Sequence, residues 1–141
     1  MVILDTNVLS ELMNPSPSPN VFRWIQYQAL IGLFTTAVTQ AEILYGVELL
    51  PKGKRRTALE TAVETTFEED FVDRILPFDS NAARLYSVIA ASRRKIGRPM
   101  GELDTQIAAI AASCGAVVAT RDIAGFEHCG VTLVNPWSAR S

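Results

Sequence analysis

The sequence predicts an α/β domain: a central parallel sheet of four to five strands flanked by helices on both faces. Three observations lead there. Short apolar runs recur at 2–4, 33–36 and 116–120, and the stretches between them carry helical periodicity. Strands alternating with helices at these lengths give a parallel, doubly wound sheet, because parallel neighbours need a crossover connection. The chain has 141 residues and no internal repeat, which suits one domain over 1–141 with a real core.

Taken in order, Val2-Ile3-Leu4 reads as a buried strand that stops at Asp5, and Thr6 to Met13 as a short helix. The alternating prolines Pro15, Pro17 and Pro19 cannot continue a helix and mark an extended connector. Asn20, a good N-cap, opens a helix to about Leu30 whose apolar residues cover more than one core-facing stripe. One of its aromatics alone would be core; Phe22, Trp24 and Tyr27 together point to a partner surface. Leu33 to Thr36 is a second strand, and a helix follows from about Val38 to Leu50, ended by Pro51 and Gly53.

The basic turn Lys52, Lys54, Arg55 and Arg56 opens a helix over about Thr57 to Asp70. Arg74 to Phe78 reads as a strand that Pro77 confines to an edge. A helix then starts at Asp79 or Ser80, carries the stripe Ala82, Leu85, Tyr86 and Ile89, and runs out at Arg93, Arg94 and Lys95 before a loop containing Arg98. Glu102 to Ser113 is helical with Gly115 as its C-cap. Ala116 to Thr120 is a buried strand, Ile123 to His128 a turn or short helix, and Val131 to Val134 a last strand.

Composition narrows the function. Apolar residues make up 48% and charged residues 20%, as in ordinary globular proteins. The formal net charge of -2 excludes nucleic-acid binding by bulk charge alone, so such a role needs local basic patches or metal ions. No apolar run approaches the roughly 20 residues of a membrane span, and no signal peptide opens the chain, so a cytoplasmic location is expected. Cys114 and Cys129 lack metal-ligand spacing and read as free thiols, and His128 as a loop residue.

Four acids stand out. Asp5 ends the first strand and Asp122 the strand at Ala116–Thr120, and the carboxyl ends of parallel strands lie on the edge where open α/β sheets bind ligands. Helix capping and turn formation are the competing explanations. Glu42 and Asp104 sit on helices with no basic residue at i±3 or i±4. For Glu42 solvation competes evenly; for Asp104 the helix dipole explains an acid in the first turn, as it explains Glu102. Capping and solvation do not jointly require all four. Converging carboxylates repel unless a cation sits among them, and oxygen donors without histidine or thiolate point to Mg²⁺ or Mn²⁺, hence to hydrolysis of phosphodiesters.

Asp5-Thr6-Asn7 after a strand, Glu42 within Thr39-Gln40-Ala41-Glu42-Ile43, Asp104 ahead of Ile107-Ala108-Ala109, and Thr120-Arg121-Asp122 after a strand resemble the PIN-domain ribonucleases. Among these the chain is most similar to the VapC toxins of type II toxin-antitoxin systems, including the FitB-like branch, down to Asn135-Pro136-Trp137. The resemblance implies a Mg²⁺- or Mn²⁺-dependent endoribonuclease, a homodimer inhibited by a cognate antitoxin and meeting operator DNA only with it. It implies that Asp5, Glu42 and Asp104 hold metal, that Asp122 is a fourth catalytic acid, and that Thr6, Asn7 and Thr120 orient them. Glu102 remains a second candidate for the third acid. The clusters Lys52, Lys54, Arg55, Arg56 and Arg93, Arg94, Arg98 are either solvated charge or the grip on RNA. A haloacid-dehalogenase-type enzyme is disfavoured by Asn7, and a receiver domain by the lack of an acid pair at the first strand. The alternative from another class is a non-catalytic binding module.

Overall fold

The computed structural model describes residues 1–138; the last three positions of the expected 1–141 domain lie outside the described residues. Its elements are β1 (Val2–Leu4), α1 (Thr6–Leu12), α2 (Pro19–Tyr27), β2 (Leu33–Thr36), α3 (Ala37–Glu48), α4 (Lys54–Thr65), β3 (Ile75–Leu76), α5 (Ser80–Lys95), α6 (Glu102–Cys114), β4 (Val117–Ala119), α7 (Ile123–Phe126) and β5 (Leu133–Val134). The strands form one five-stranded parallel sheet in the order β3-β2-β1-β4-β5. β1 is central, with Val2 beside both Leu33 and Val117 and Leu4 beside Ala119. The chain first builds outward on one side of β1 and then crosses to the other, so the topological switch point lies between the ends of β1 and β4.

Strand alternation deals side chains to two layers. Ile3 and Val118 join a core with Ala82, Ile89, Ile107 and Ile110 from α5 and α6. Leu4 and Ala119 join the other, with Val8, Leu9, Val21, Trp24, Ile43 and Val63 from α1 to α4. Helices therefore cover both faces, as the sequence predicts. Among the described residues no helix is long and apolar enough to cross a membrane.

Several boundaries shift for identifiable reasons. α2 begins at Pro19, with Ser18 in place of Asn20 as its N-cap, because proline at the first helical position forfeits no hydrogen bond. α4 begins at Lys54, so Lys54, Arg55 and Arg56 belong to its first turn rather than to a preceding turn. Its end passes into a π-helical turn over Thr66–Asp70. The strands around Pro77 and Val131 contract to two residues each at the sheet's edges. Cys114 and Cys129 are free, and His128 sits in a left-handed turn at φ 62°.

One set of sequence assignments needs correction. Phe22 and Tyr27 are 48% and 70% exposed, but Trp24 is only 7% exposed and packs in the core beneath α2. Trp24 is therefore no part of a partner surface.

Candidate active site

The site grows from the end of β1. The Asp5 amide donates to the Ala119 carbonyl, continuing the β1–β4 ladder one residue beyond the strand and fixing where the carboxyl group emerges. One carboxylate oxygen, Oδ1, accepts the Thr6 amide at 2.8 Å, which starts α1. The other, Oδ2, accepts the Thr120 hydroxyl at 2.8 Å. Capping and site membership thus coexist in one side chain.

Thr120 is the hub beneath the site. Fully buried, its single hydroxyl proton goes to Asp5, and its oxygen accepts the Asp122 amide at 3.0 Å and the Asn7 side-chain amide at 3.4 Å. That uses the donor and both lone pairs. Asn7 Oδ1 in turn accepts the Arg121 amide at 3.3 Å, tying the start of α1 to the turn after β4.

Glu42 is held from another side. Thr6 Oγ1 donates to Glu42 Oε1 at 2.9 Å and lies 3.1 Å from Thr39 Oγ1. A threonine hydroxyl has one proton, so with Thr6 donating to the carboxylate, Thr39 is the donor to Thr6. The Thr39 amide donates to Thr36 Oγ1, the cap that starts α3. Asp104 lies in the first turn of α6, which begins at Gly101 without a side-chain cap. Asp122 Oδ1 accepts the Gly125 amide at 3.0 Å and starts α7. A Cβ on Gly125 would stand 2.2 Å from Asp122 Oδ2, so glycine is what lets this carboxylate lie against the turn.

Asp5, Thr6, Asn7, Glu42, Asp104 and Asp122 line one open pocket of about 330 Å³. None of these six is basic. Glu102 is exposed and does not line it. Burial, with the charges of Glu42 and Asp122, pushes the Asp5 carboxyl above the usual range, although its bonds from Thr120 and Thr6 pull the other way. Burial, then repulsion from Asp5 and Asp122, does the same to Asp104.

This donor set, oxygen throughout and starved of positive charge, suits a hard divalent cation. Among the described residues no three His, Cys, Asp or Glu side chains stand close enough to hold one ion. An ion of the Mg²⁺ type, which keeps several waters, would be bound here by one or two carboxylates directly and by the others through water.

The basic clusters do not gather in the same way. Arg56 pairs with Glu60 at 2.7 Å and with Glu48 at 3.3 Å. Arg93 is 3% exposed and donates to the backbone carbonyls of Arg98 and Glu127. It is a structural group and is withdrawn from the RNA-binding candidates. Arg98 pairs with Glu127 at 3.5 Å and donates to the Ala124 carbonyl. Lys52, Lys54 and Arg94 are exposed. Arg55 is exposed too and lines a depression that also includes Thr6 and Glu42. The sequence reading missed Thr39 and Gly125; Thr39 at i−3 from Glu42 was the available signal.

The PIN domain family matches residues 2–130 of the chain. The chain is 40% identical to the VapC ribonuclease Y4jK of Sinorhizobium fredii, covering 97% of this chain and 98% of that protein. It is 37% identical to the toxin FitB of Neisseria gonorrhoeae over 97% of this chain and 99% of that protein. The solved structure of FitAB bound to an IR36 DNA fragment superposes with a TM-score of 0.93 at 36% identity, covering 100% of this chain and 99% of the other. The chain belongs to the PIN-domain family, in which its near-full-length relatives include VapC- and FitB-type toxins.

Proposed function

We propose that the chain is a divalent-cation-dependent endoribonuclease, the toxin of a type II toxin-antitoxin pair, hydrolysing RNA phosphodiester bonds. The observation that carries this reading is the pocket at the switch edge, where carboxylates from β1, α3, α6 and the turn after β4 face one space. Asp5, Glu42 and Asp104 are the residues that would hold Mg²⁺ or Mn²⁺, in part through water, with Asp122 in support, and the ion would supply neutralising charge and make a water in the pocket more acidic.

The chain's own residues supply orientation. Thr120 holds Asp5 in one rotamer from below, and Thr6, itself held by Thr39, sets the direction of Glu42. Hydrolysis joins a water oxygen to phosphorus and breaks the bond to the leaving ribose oxygen, so a proton must leave the water. Without a cation, burial and mutual repulsion hold the carboxyls of Asp5 and Asp104 above the usual range, and a divalent ion among them would relieve that repulsion.

Similarity to a VapC ribonuclease and to FitAB bound to DNA supports RNA as substrate, an antitoxin as partner, and operator DNA as a ligand of the toxin-antitoxin complex. Phe22 and Tyr27 are exposed aromatics that a protein partner would cover, and a homodimer is part of the same reading. Among the cluster residues, exposed Arg55 lines a depression that also includes Thr6 and Glu42.

Incubating RNA with the protein in Mg²⁺, in Mn²⁺ and in EDTA tests this. Cleavage is expected with either cation, is abolished by EDTA, and falls at least about a hundredfold in Asp5→Asn. Cleavage that persists in EDTA or in Asp5→Asn overturns the reading. Tight RNA binding with no cleavage in either cation favours the binding module instead.

A further inference from the structure

Next to Asp122 in the chain stands a cation outside the two basic clusters. Arg121 lies between Thr120 and Asp122, and its amide is fixed on Asn7, a residue that lines the pocket. Its guanidinium lies over the ring of Trp137, 4.9 Å from the centroid. Trp137 is itself pinned on both sides: its amide donates to Asn135 Oδ1 at 2.9 Å, and its carbonyl accepts the Asn20 side-chain amide at 2.8 Å. Ion pairs among the described residues join Arg56 to Glu48 and Glu60, and Arg98 to Glu127; Arg121 is in none of them and is exposed.

We infer that Arg121, docked on Trp137, is a phosphate-binding residue that holds an RNA strand against the acidic pocket; the inference rests on the nuclease reading above. A pocket lined by four carboxylates on a chain of net charge -2 repels a polyanion, and at physiological salt only cations within about 8 Å of a phosphate offset that repulsion appreciably. Arg56, Arg93 and Arg98 of the neighbouring clusters are spent on carboxylates and carbonyls, whereas Arg121 is exposed and its backbone is anchored one residue from Asp122. A guanidinium held over a ring face by cation–π attraction spends no N–H on a hydrogen-bond acceptor there, so its donors remain available to fork onto phosphate oxygens. Because ring and guanidinium are already ordered, little freedom is lost when RNA binds.

The test uses a short mixed-sequence single-stranded oligoribonucleotide with Mg²⁺ present. Its Kd is measured in the Asp5→Asn background across a salt series, and its cleavage in the otherwise wild-type chain. Arg121→Gln is expected to weaken binding about five- to tenfold and to flatten the slope of log Kd against log salt by about 0.7, the loss of one single-strand phosphate contact. Arg121→Lys keeps the charge and therefore the slope, while losing part of the affinity. Trp137→Leu weakens binding by a smaller factor with the slope retained. In cleavage the loss from Arg121→Gln falls on KM far more than on kcat.

An unchanged Kd and slope in Arg121→Gln overturn the inference and leave the stack as a pin for the C-terminal segment, which a lowered Tm then reports. So does a variant that loses only its affinity for a protein partner, or one whose loss falls wholly on kcat. If Arg121→Gln misfolds, Arg121→Lys decides, because a slope flattened despite the retained charge contradicts a phosphate contact. The two proposals fail separately. Salt-dependent RNA binding through Arg121 in a chain that cleaves nothing removes the nuclease reading alone, and cleavage with Arg121→Gln neutral removes the Arg121 assignment alone.

Discussion

Acids and bases are equally conspicuous in this sequence, yet the fold treats them in opposite ways. Four carboxylates from elements spread along the chain are brought to one pocket, while Arg56, Arg93 and Arg98 of the two arginine-rich clusters are drawn off to other acceptors. The difference lies in how each side chain is anchored. Asp5 and Asp122 are placed by backbone, at strand ends whose register is set by β1–β4 pairing, and short side chains cannot stray from there. Arg56, Arg93 and Arg98 have long stems that reach whatever acceptor lies nearby. Backbone register is thus a better guide to a site than local charge density.

That contrast can be broken hardest at Thr120, where the acids are tied together. Thr120→Val removes the donor to Asp5 and the acceptor for Asp122 and Asn7, so RNA cleavage is expected to drop by about 10- to 100-fold, as when a residue that orients a metal ligand is lost. Thr120→Ser, which keeps the hydroxyl, restores most of the rate in the same assay. On the basic side the damage falls on stability instead. Arg93→Met leaves the Arg98 and Glu127 carbonyls without their donor and costs about 2–3 kcal/mol in denaturant unfolding, whereas exposed Arg94→Met stays within about 0.5 kcal/mol.

Gly125 sharpens the comparison at a smaller scale. A methyl group there collides with the Asp122 carboxylate and breaks its bond to the Gly125 amide. Gly125→Ala should lower cleavage about three- to tenfold and stability by about 1 kcal/mol, the loss of a helix cap. If the rate is unchanged, Asp122 is a cap and nothing more.

The smallest effect is electrostatic and has a definite sign. Asp104 holds its proton more tightly in the folded chain than in the unfolded one. The stability it contributes is therefore present at low pH and is lost as pH rises from about 4, the ordinary carboxyl value, through the raised folded value. Without divalent cations, Asp104→Asn is expected to melt at or above the wild type near neutral pH, and the gap should close on acidification. Thermal melts of both proteins across that range measure it. A variant that melts lower at every pH marks Asp104 as a structural group in α6.

Anchoring by backbone also decides how much of the site is legible in the sequence. Parallel pairing follows from the spacing of the apolar runs, and with it the shared edge of Asp5 and Asp122. Glu42 and Asp104 stood out because no base lay within one helical turn. What escaped was whatever depends on which side of a helix faces inward. α2 is amphipathic, with Val21 and Trp24 one turn apart on its buried face, so helical spacing separates Trp24 from exposed Phe22 and Tyr27, and grouping the three by aromatic type does not. Arg93 falls four residues after Ile89, on the buried stripe of α5, and that position outweighed its place in a run of cations. The Arg121–Trp137 stack joins segments whose proximity depends on β5 and the turn beyond it, which no spacing rule supplies.

The partnership between Asp5 and Thr120 spans 115 residues of chain, and β1 lies between β2 and β4 in the sheet. A growing polypeptide therefore carries its first acid from the outset but cannot lock it in place until the fourth strand has left the ribosome and zipped alongside. Such long-range closure is slow and comes late. Under the nuclease reading, a half-made copy is unarmed and does not endanger the message that encodes it.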